Sequence, residues 1–79
     1  MNKRAVDLNL LQTFHAVHAT GNVSRAAERL GVSQPTVSHA LRRLRQLHGD
    51  PLFIRTHGGM APTAKAQRLA TAVEHALTT

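Results

Sequence analysis

The chain contains no cysteine, no tryptophan and no tyrosine, and it has only two phenylalanines among its 79 residues. Without cysteine there can be no disulfide framework and no thiolate metal site. No segment approaches the roughly 20 apolar residues of a membrane-spanning helix, and no signal peptide is recognisable. We therefore expect a small cytoplasmic domain with a mainly aliphatic core, no membrane association and no cofactor.

Acidic residues are also scarce. Four Asp and Glu residues stand against ten Lys and Arg, which gives a formal net charge of +6. Such an excess indicates a polyanionic partner, and nucleic acid is the leading candidate. None of the four acids is placed to orient a histidine beside a nucleophile, so we do not expect an enzyme. His15 and His18 share a helix face, but no acidic or thiolate ligand is near them, and we predict no metal site.

The stretch over residues 23–42 predicts two short helices joined by a tight turn. Ser24 is placed to cap the first helix, Gly31 to end it, and Ser33 to cap the second. Pro35 falls in the first turn of the second helix, where the N–H that it lacks would have no partner inside the helix. This is the helix-turn-helix pattern, in which the second helix enters the major groove of DNA.

The second helix separates apolar from polar side chains at helical spacing. Its apolar stripe is Val37, Ala40, Leu41, Leu44 and Leu47. Its outer face carries short polar side chains followed by arginines, which favours DNA binding over the alternative, an ordinary helical hairpin.

The flanking segments complete a mainly α fold. Residues 1–6 form a short basic arm, and a first helix of about residues 8–19 follows Asp7 as its N-cap. A β-prone run, a glycine-containing turn at residues 57–59 and a second run predict a small hairpin over residues 52–62, for which a plain linker is the alternative.

A last helix begins after Thr63, and its apolar side runs to the end of the chain. This side consists of Ala66, Leu69, Ala70, Val73, Ala76 and Leu77. We predict that it pairs with the same helix of a second copy and so forms a homodimer. The alternative is that the helix folds back on its own domain.

Several segments together match one known family. They are Asp7–Leu11, Ser24–Leu30, Ser33–Ser38, Leu41–Leu44, Asp50–Thr56 and Pro62–Thr63. On these segments the chain resembles the N-terminal DNA-binding region of LysR-type transcriptional regulators over almost its whole length. The resemblance implies a mainly α winged helix-turn-helix fold with a three-helix core, a small β-hairpin wing and a C-terminal linker helix. The expected division is residues 1–62 for the DNA-binding domain and residues 63–79 for the linker helix that joins two subunits.

The resemblance also implies a function. A recognition helix at about residues 34–47 would lie in the major groove of an approximately palindromic double-stranded operator. The implied DNA-binding residues are Ser24, Arg25, Ser33, Gln34, Pro35, Thr36, Ser38, His39, Arg42, Arg43, Arg55 and Thr56. Among these we assign phosphate contacts to Arg25, Arg42, Arg43 and Arg55, and base contacts to Gln34, Thr36, Ser38 and His39. Family members carry a larger effector-binding domain, so we expect this chain to be a fragment, with any small-molecule effector bound outside it.

Two departures from the family pattern bear on this interpretation. Residues 57–59 stand where many members have a further basic residue at the wing tip, and Ala66 stands where many have glycine. The rival interpretation is a basic helical module that docks an acidic protein partner.

Overall fold

Four helices and one two-stranded antiparallel sheet make up the computed structural model, which describes residues 7–78. In chain order they are α1 (Leu8–Thr20), α2 (Val23–Leu30), α3 (Gln34–His48), β1 (Phe53–Thr56), β2 (Gly59–Pro62) and α4 (Ala64–Thr78). The basic arm predicted for residues 1–6 lies outside the described residues. Over residues 7–78, no helix is long and apolar enough to cross a membrane.

Each helix begins at a polar side chain that accepts backbone N–H groups of the first turn. Asp7 caps α1, Ser33 caps α3, and the Thr63 hydroxyl accepts the Ala66 N–H at 3.1 Å, as the sequence predicts. The prediction that Ser24 caps α2 is wrong. Asn22 is the cap, because α2 begins earlier than predicted.

The core lies between α1, α2, α3 and the inner side of α4, and the start of the wing also contributes to it. The buried apolar residues are Phe14, Ala16, Val17, Ala26, Ala27, Val37, Leu41, Leu44, Leu52, Phe53, Ala66 and Val73. Leu41 is 2% exposed, whereas Leu47 is 61% exposed, so the prediction that Leu47 belongs to the inner stripe is wrong. Residues four apart lie on the same face of a helix, so the residue that follows Leu44 on the inward face of α3 is His48, which is half-buried.

The hairpin predicted for residues 52–62 is present, and its strands pair from Phe53 opposite Pro62 to Thr56 opposite Gly59. Gly59 therefore belongs to β2 and not to the turn. Phe53 packs against Phe14 of α1 with ring centroids 5.3 Å apart. Because a two-stranded ribbon is marginal by itself, this contact and others like it hold the wing against the helices.

A polar junction connects the end of α3 to the start of α4. The Asp50 carboxylate accepts the Leu52 N–H and the Thr63 hydroxyl, each at 2.8 Å. The Lys65 ammonium donates to the His48 carbonyl at 3.0 Å. The hydrogen bond from Thr63 is the largest cause that lowers the pKa of Asp50, followed by the Leu52 N–H. The junction fixes the start of α4 relative to the end of α3.

Candidate nucleic-acid interface

The outward face of α3 is polar and cationic from Gln34 to Arg43. Its exposed residues are Gln34, Pro35, Thr36, Ser38, His39, Arg42 and Arg43. Val37, Leu41 and Leu44 are buried beneath them and hold the helix to the core. No acidic residue occurs between Gln34 and His48, so nothing on α3 itself repels a polyanion. The structure thus places seven residues of the predicted site on one exposed surface.

The first turn of α3 is held by two hydroxyl groups. The Ser33 Oγ accepts the Thr36 N–H at 3.3 Å and lies 2.9 Å from the Thr36 Oγ1. The two hydroxyls thus form one hydrogen bond with each other. This arrangement fixes the Thr36 side chain beside the cap, and both residues remain exposed.

A hydrogen bond joins the two helices of the motif at their N-terminal ends. The side-chain amide nitrogen of Gln34 donates to the hydroxyl oxygen of Ser24. Both side chains are exposed, although they are ten residues apart in sequence. Gln34 therefore has a defined partner before any ligand arrives, which the sequence did not predict.

A polar hollow of about 200 Å³ lies where α2, α3 and the wing meet. Its lining residues are Asn22, Val23, Ser24, Gln34, Ser38, Arg55, Gly59 and Met60. Four residues of the predicted site, one or more from each of the three elements, thus meet around this hollow: Ser24, Gln34, Ser38 and Arg55. Arg55 provides the cationic group of the lining.

The two wing residues of the predicted site lie on opposite faces of the hairpin. Side chains alternate along a strand, so Arg55 is on the same face as Phe53, toward the helices, whereas Thr56 is on the face of Ile54. The Thr56 hydroxyl donates to the Gly59 carbonyl at 3.4 Å. The structure therefore brings Arg55, but not Thr56, to the hollow.

The arginines of the helix-turn-helix differ in their surroundings. Arg25, Arg42 and Arg43 are exposed. Arg45 is half-buried, and its Nε donates to the Pro51 carbonyl at 3.1 Å. Arg45 therefore has a structural contact with the segment after α3, unlike the three exposed arginines.

The predicted dimer stripe on α4 is partly used within this chain. Ala66 is 0% exposed and Val73 8% exposed, because both pack into the domain's own core. Leu69, Ala70 and Leu77 are half-buried against that core, and Ala76 is exposed. An apolar hollow of about 280 Å³ opens beside them, lined by Leu11, Phe14, Leu44, His48, Leu69, Ala72, Val73 and Ala76. Ala66 and Val73 therefore offer a partner almost no surface.

Four residues that line the polar hollow were not predicted as site residues from the sequence: Asn22, Val23, Gly59 and Met60. Asn22 caps α2 and lines the hollow, and the available signal in the sequence was an asparagine, a favoured N-cap residue, directly after Gly21. Met60 lines it because its N–H donates to the Gly21 carbonyl at 2.8 Å. The paired Gly58–Gly59 before Met60 indicated a turn but not this contact.

His18, one of the two histidines considered for a metal site on α1, has structural contacts. The His18 ring stacks on Phe14, with centroids 6.2 Å apart, and its Nε2 lies 3.2 Å from the Gln67 Oε1. Among residues 7–78, no cluster of three or more His, Asp or Glu side chains is placed to hold a metal ion.

The chain is similar to known regulatory proteins in both sequence and fold. Residues 8–67 match the family described as bacterial regulatory helix-turn-helix proteins, lysR family. The HTH-type transcriptional activator NahR of Pseudomonas putida is 51% identical over 77 residues, which are 98% of this chain and 26% of NahR. The crystal structure of the probable transcriptional regulator PA0477 of Pseudomonas aeruginosa aligns with a TM-score of 0.87 at 49% identity, covering 94% of this chain and 25% of that one.

A DNA complex is also among the similar structures. The CbnR DNA-binding domain, crystallised with DNA, aligns with a TM-score of 0.85 at 32% identity and covers 92% of this chain and 84% of that one. Fold and exposed face thus define a winged helix-turn-helix DNA-binding domain. The chain belongs to the lysR family of bacterial regulatory helix-turn-helix proteins. It spans about a quarter of the length of NahR and PA0477.

Proposed function

We propose that this domain binds double-stranded DNA sequence-specifically, with residues 34–47 of α3 in the major groove. The observation that carries the proposal is the exposed, acid-free outer face of α3, whose N-terminal end meets Arg55 at the polar hollow. A helix with its side chains is about 10–12 Å wide, which fits a major groove of about 12 Å. The acidic-partner alternative is not favoured, because the relatives are transcriptional regulators.

The exposed side chains divide into two roles. Arg25, Arg42, Arg43 and Arg55 would contact phosphates, which orient the domain on the duplex without reading its sequence. Gln34, Thr36, Ser38 and His39 would reach base edges. A Gln amide matches the N6 and N7 groups of adenine, and a Thr methyl packs on the methyl group of thymine.

The proposal extends to a homodimer that binds an approximately palindromic operator. Residues 63–79 would act as the linker helix, and Leu69, Ala70, Ala76 and Leu77 would face the partner, since they retain accessible surface. A twofold interface would present one α3 to each half-site. The half-sites would then lie about one helical turn, roughly 10 bp, or a multiple of it apart.

For the whole protein, we propose a bacterial transcriptional regulator that acts in the cytoplasm. The descriptions of the relatives support a regulator, because NahR is a transcriptional activator and PA0477 is a probable transcriptional regulator. A small-molecule effector would bind in the part of the protein beyond this domain.

Selection of bound duplexes from a random pool tests the proposal. Wild type should enrich one motif made of two related half-sites in inverted orientation. Gln34→Ala should weaken the preference at one base pair of each half-site, because a good side-chain contact to a base contributes roughly 1–3 kcal/mol of discrimination. Failure of wild type to enrich any motif would contradict sequence-specific binding.

Gln12→Ala is the matched control for this selection. Gln12 is an exposed glutamine on α1, beside Arg29 and Leu77 and away from the polar hollow. Gln12→Ala removes the same amide group as Gln34→Ala, but outside the proposed interface. The motif selected by Gln12→Ala should therefore equal that of wild type. An equal loss of preference from both variants would contradict base reading by Gln34.

A further inference from the structure

The Ser24 hydroxyl is not needed by its own helix. Asn22 accepts the N–H of Arg25 at 2.9 Å and caps α2, so Ser24 stands one residue inside the helix, at its second position. Its side chain is exposed. The hydroxyl is therefore available for the contact it makes with the next helix, the hydrogen bond from the Gln34 amide.

That hydrogen bond changes which groups Gln34 can offer to a base. A Gln side chain has two N–H donors on its amide nitrogen and a carbonyl oxygen with two lone pairs. Ser24 accepts one N–H. One N–H and the whole carbonyl oxygen remain for DNA.

The two purines differ in what they need from this residue. Adenine presents N7 as an acceptor and N6 as a donor, which match one N–H and one carbonyl oxygen. Guanine presents N7 and O6, which are two acceptors and match two N–H donors. A glutamine with one N–H already committed thus matches adenine and mismatches guanine.

We propose that Ser24 is a positioning residue that makes Gln34 select adenine over guanine. The proposal rests on the proposed function, in which Gln34 reaches a base edge. Ser24 acts through Gln34 and contacts no base itself. Its hydrogen bond also restricts the rotation of the amide plane, and because Gln34 is exposed, the remaining N–H and the carbonyl oxygen stay accessible to a base.

The surroundings keep this arrangement in place. The Ser33 cap and Pro35, within the first turn, hold the backbone of Gln34. Gln34 and Ser24 both line the polar hollow together with Ser38 and Arg55. The side chain thus enters complex formation already oriented, which lowers the entropy lost on binding.

The test compares wild type with Ser24→Ala, Ser24→Thr, Gln34→Ala and the Ser24→Ala/Gln34→Ala double variant. The base pair read by Gln34 is the one at which Gln34→Ala loses its preference, and Kd is measured for duplexes with A·T or G·C there. Wild type should prefer A·T by roughly tenfold, within the range typical of a good base contact. Ser24→Ala should reduce that ratio about threefold or more, whereas Ser24→Thr, which keeps the hydroxyl, should restore it.

Two further measurements separate positioning from a structural role. The thermal midpoint should be unchanged in Ser24→Ala, because alanine is at least as favourable as serine inside a helix. Affinity for random duplex should fall less than affinity for the A·T duplex, because the lost hydrogen bond acts on base selection. The double variant should discriminate no worse than Gln34→Ala alone. Together these results would support the proposal.

Other outcomes would overturn it. If Ser24→Ala weakens selected and random duplexes equally, Ser24 contacts the DNA backbone. If the pair read by Gln34 prefers G·C, or if the double variant loses more than Gln34→Ala, the proposed coupling is wrong. If wild type distinguishes no sequences in the random pool, the proposed function fails as well, and that result is distinct because no A·T preference exists to be lost.

Discussion

The backbone N–H of Met60 donates to the carbonyl oxygen of Gly21 at 2.8 Å, so the wing is attached to the end of α1. The preceding residue, Gly59, has a φ of +133°, and a Cβ built on it would lie 2.2 Å from that same oxygen. Glycine is therefore required at residue 59. Since Arg55 lies on the paired strand opposite Met60, this contact also sets where the arginine meets α3.

Gly59→Ala should destabilise the domain by about 1–3 kcal/mol, because alanine both strains this backbone conformation and clashes with Gly21. Thermal unfolding measures the effect. Gly58→Ala is the matched control, since nothing lies within 4 Å of a Cβ at that neighbouring glycine. Equal midpoints for the two variants would contradict the close approach.

The stability of the domain should depend on the charge of Asp50 in the acid range. Its hydrogen bonds from Thr63 and Leu52 lower its folded-state pKa, whereas the pKa of an aspartate in the unfolded chain is about 3.9. The carboxylate therefore stabilises the fold above that pH, and the contribution fades as the pH falls through the folded pKa. Asp50→Asn should melt below wild type near neutrality, and the gap should close in strong acid. A gap that stays constant to the lowest pH would be inconsistent with this role.

Leu41→Ala should abolish DNA binding by unfolding the domain. Truncating a buried leucine costs roughly 2–5 kcal/mol, which is comparable to the stability expected of a domain this small. Leu47→Ala, on the same helix but 61% exposed, is the control and should change the melting midpoint little. Similar midpoints for the two variants would show that the inward face of α3 has been assigned incorrectly.

Ala76→Glu should dissociate the proposed dimer while each domain stays folded, because Ala76 is exposed on α4. Val73→Glu is unsuitable for this purpose, since Val73 is buried and a charge there would unfold the domain. Ala64→Glu, exposed at the start of α4, is the control. Sedimentation measures the association state. A wild-type monomer at high concentration, or Ala76→Glu dimers, would rule out pairing through this side of α4.

The sequence was sufficient to predict the local elements, because their signals are local. Gly31 and Gly49 end helices in the left-handed conformation that favours glycine, and Ser33 caps the recognition helix as its spacing predicted. The order of helices, hairpin and terminal helix followed from such signals and from the resemblance. The outer face of α3 followed from the same helical period that placed Leu41 inside.

Contacts between distant segments did not follow from the sequence. Nothing local indicates that Gln34 bonds Ser24, that Met60 bonds Gly21, or that Asp50 joins Thr63. The burial of Val73 depends on how α4 crosses the domain, which its own amphipathic pattern leaves open between a partner and its own core. The helical period therefore predicted which side of α4 is apolar, but not whether that side packs against a partner or against its own domain.

The most direct test of the account is methylation interference on the selected operator. Methyl groups at guanine N7 lie in the major groove, and those at adenine N3 lie in the minor groove. If the outer face of α3 enters the major groove, N7 methylation within both half-sites should prevent binding. Interference confined to adenine N3, with methylated N7 tolerated throughout both half-sites, would contradict major-groove recognition by α3.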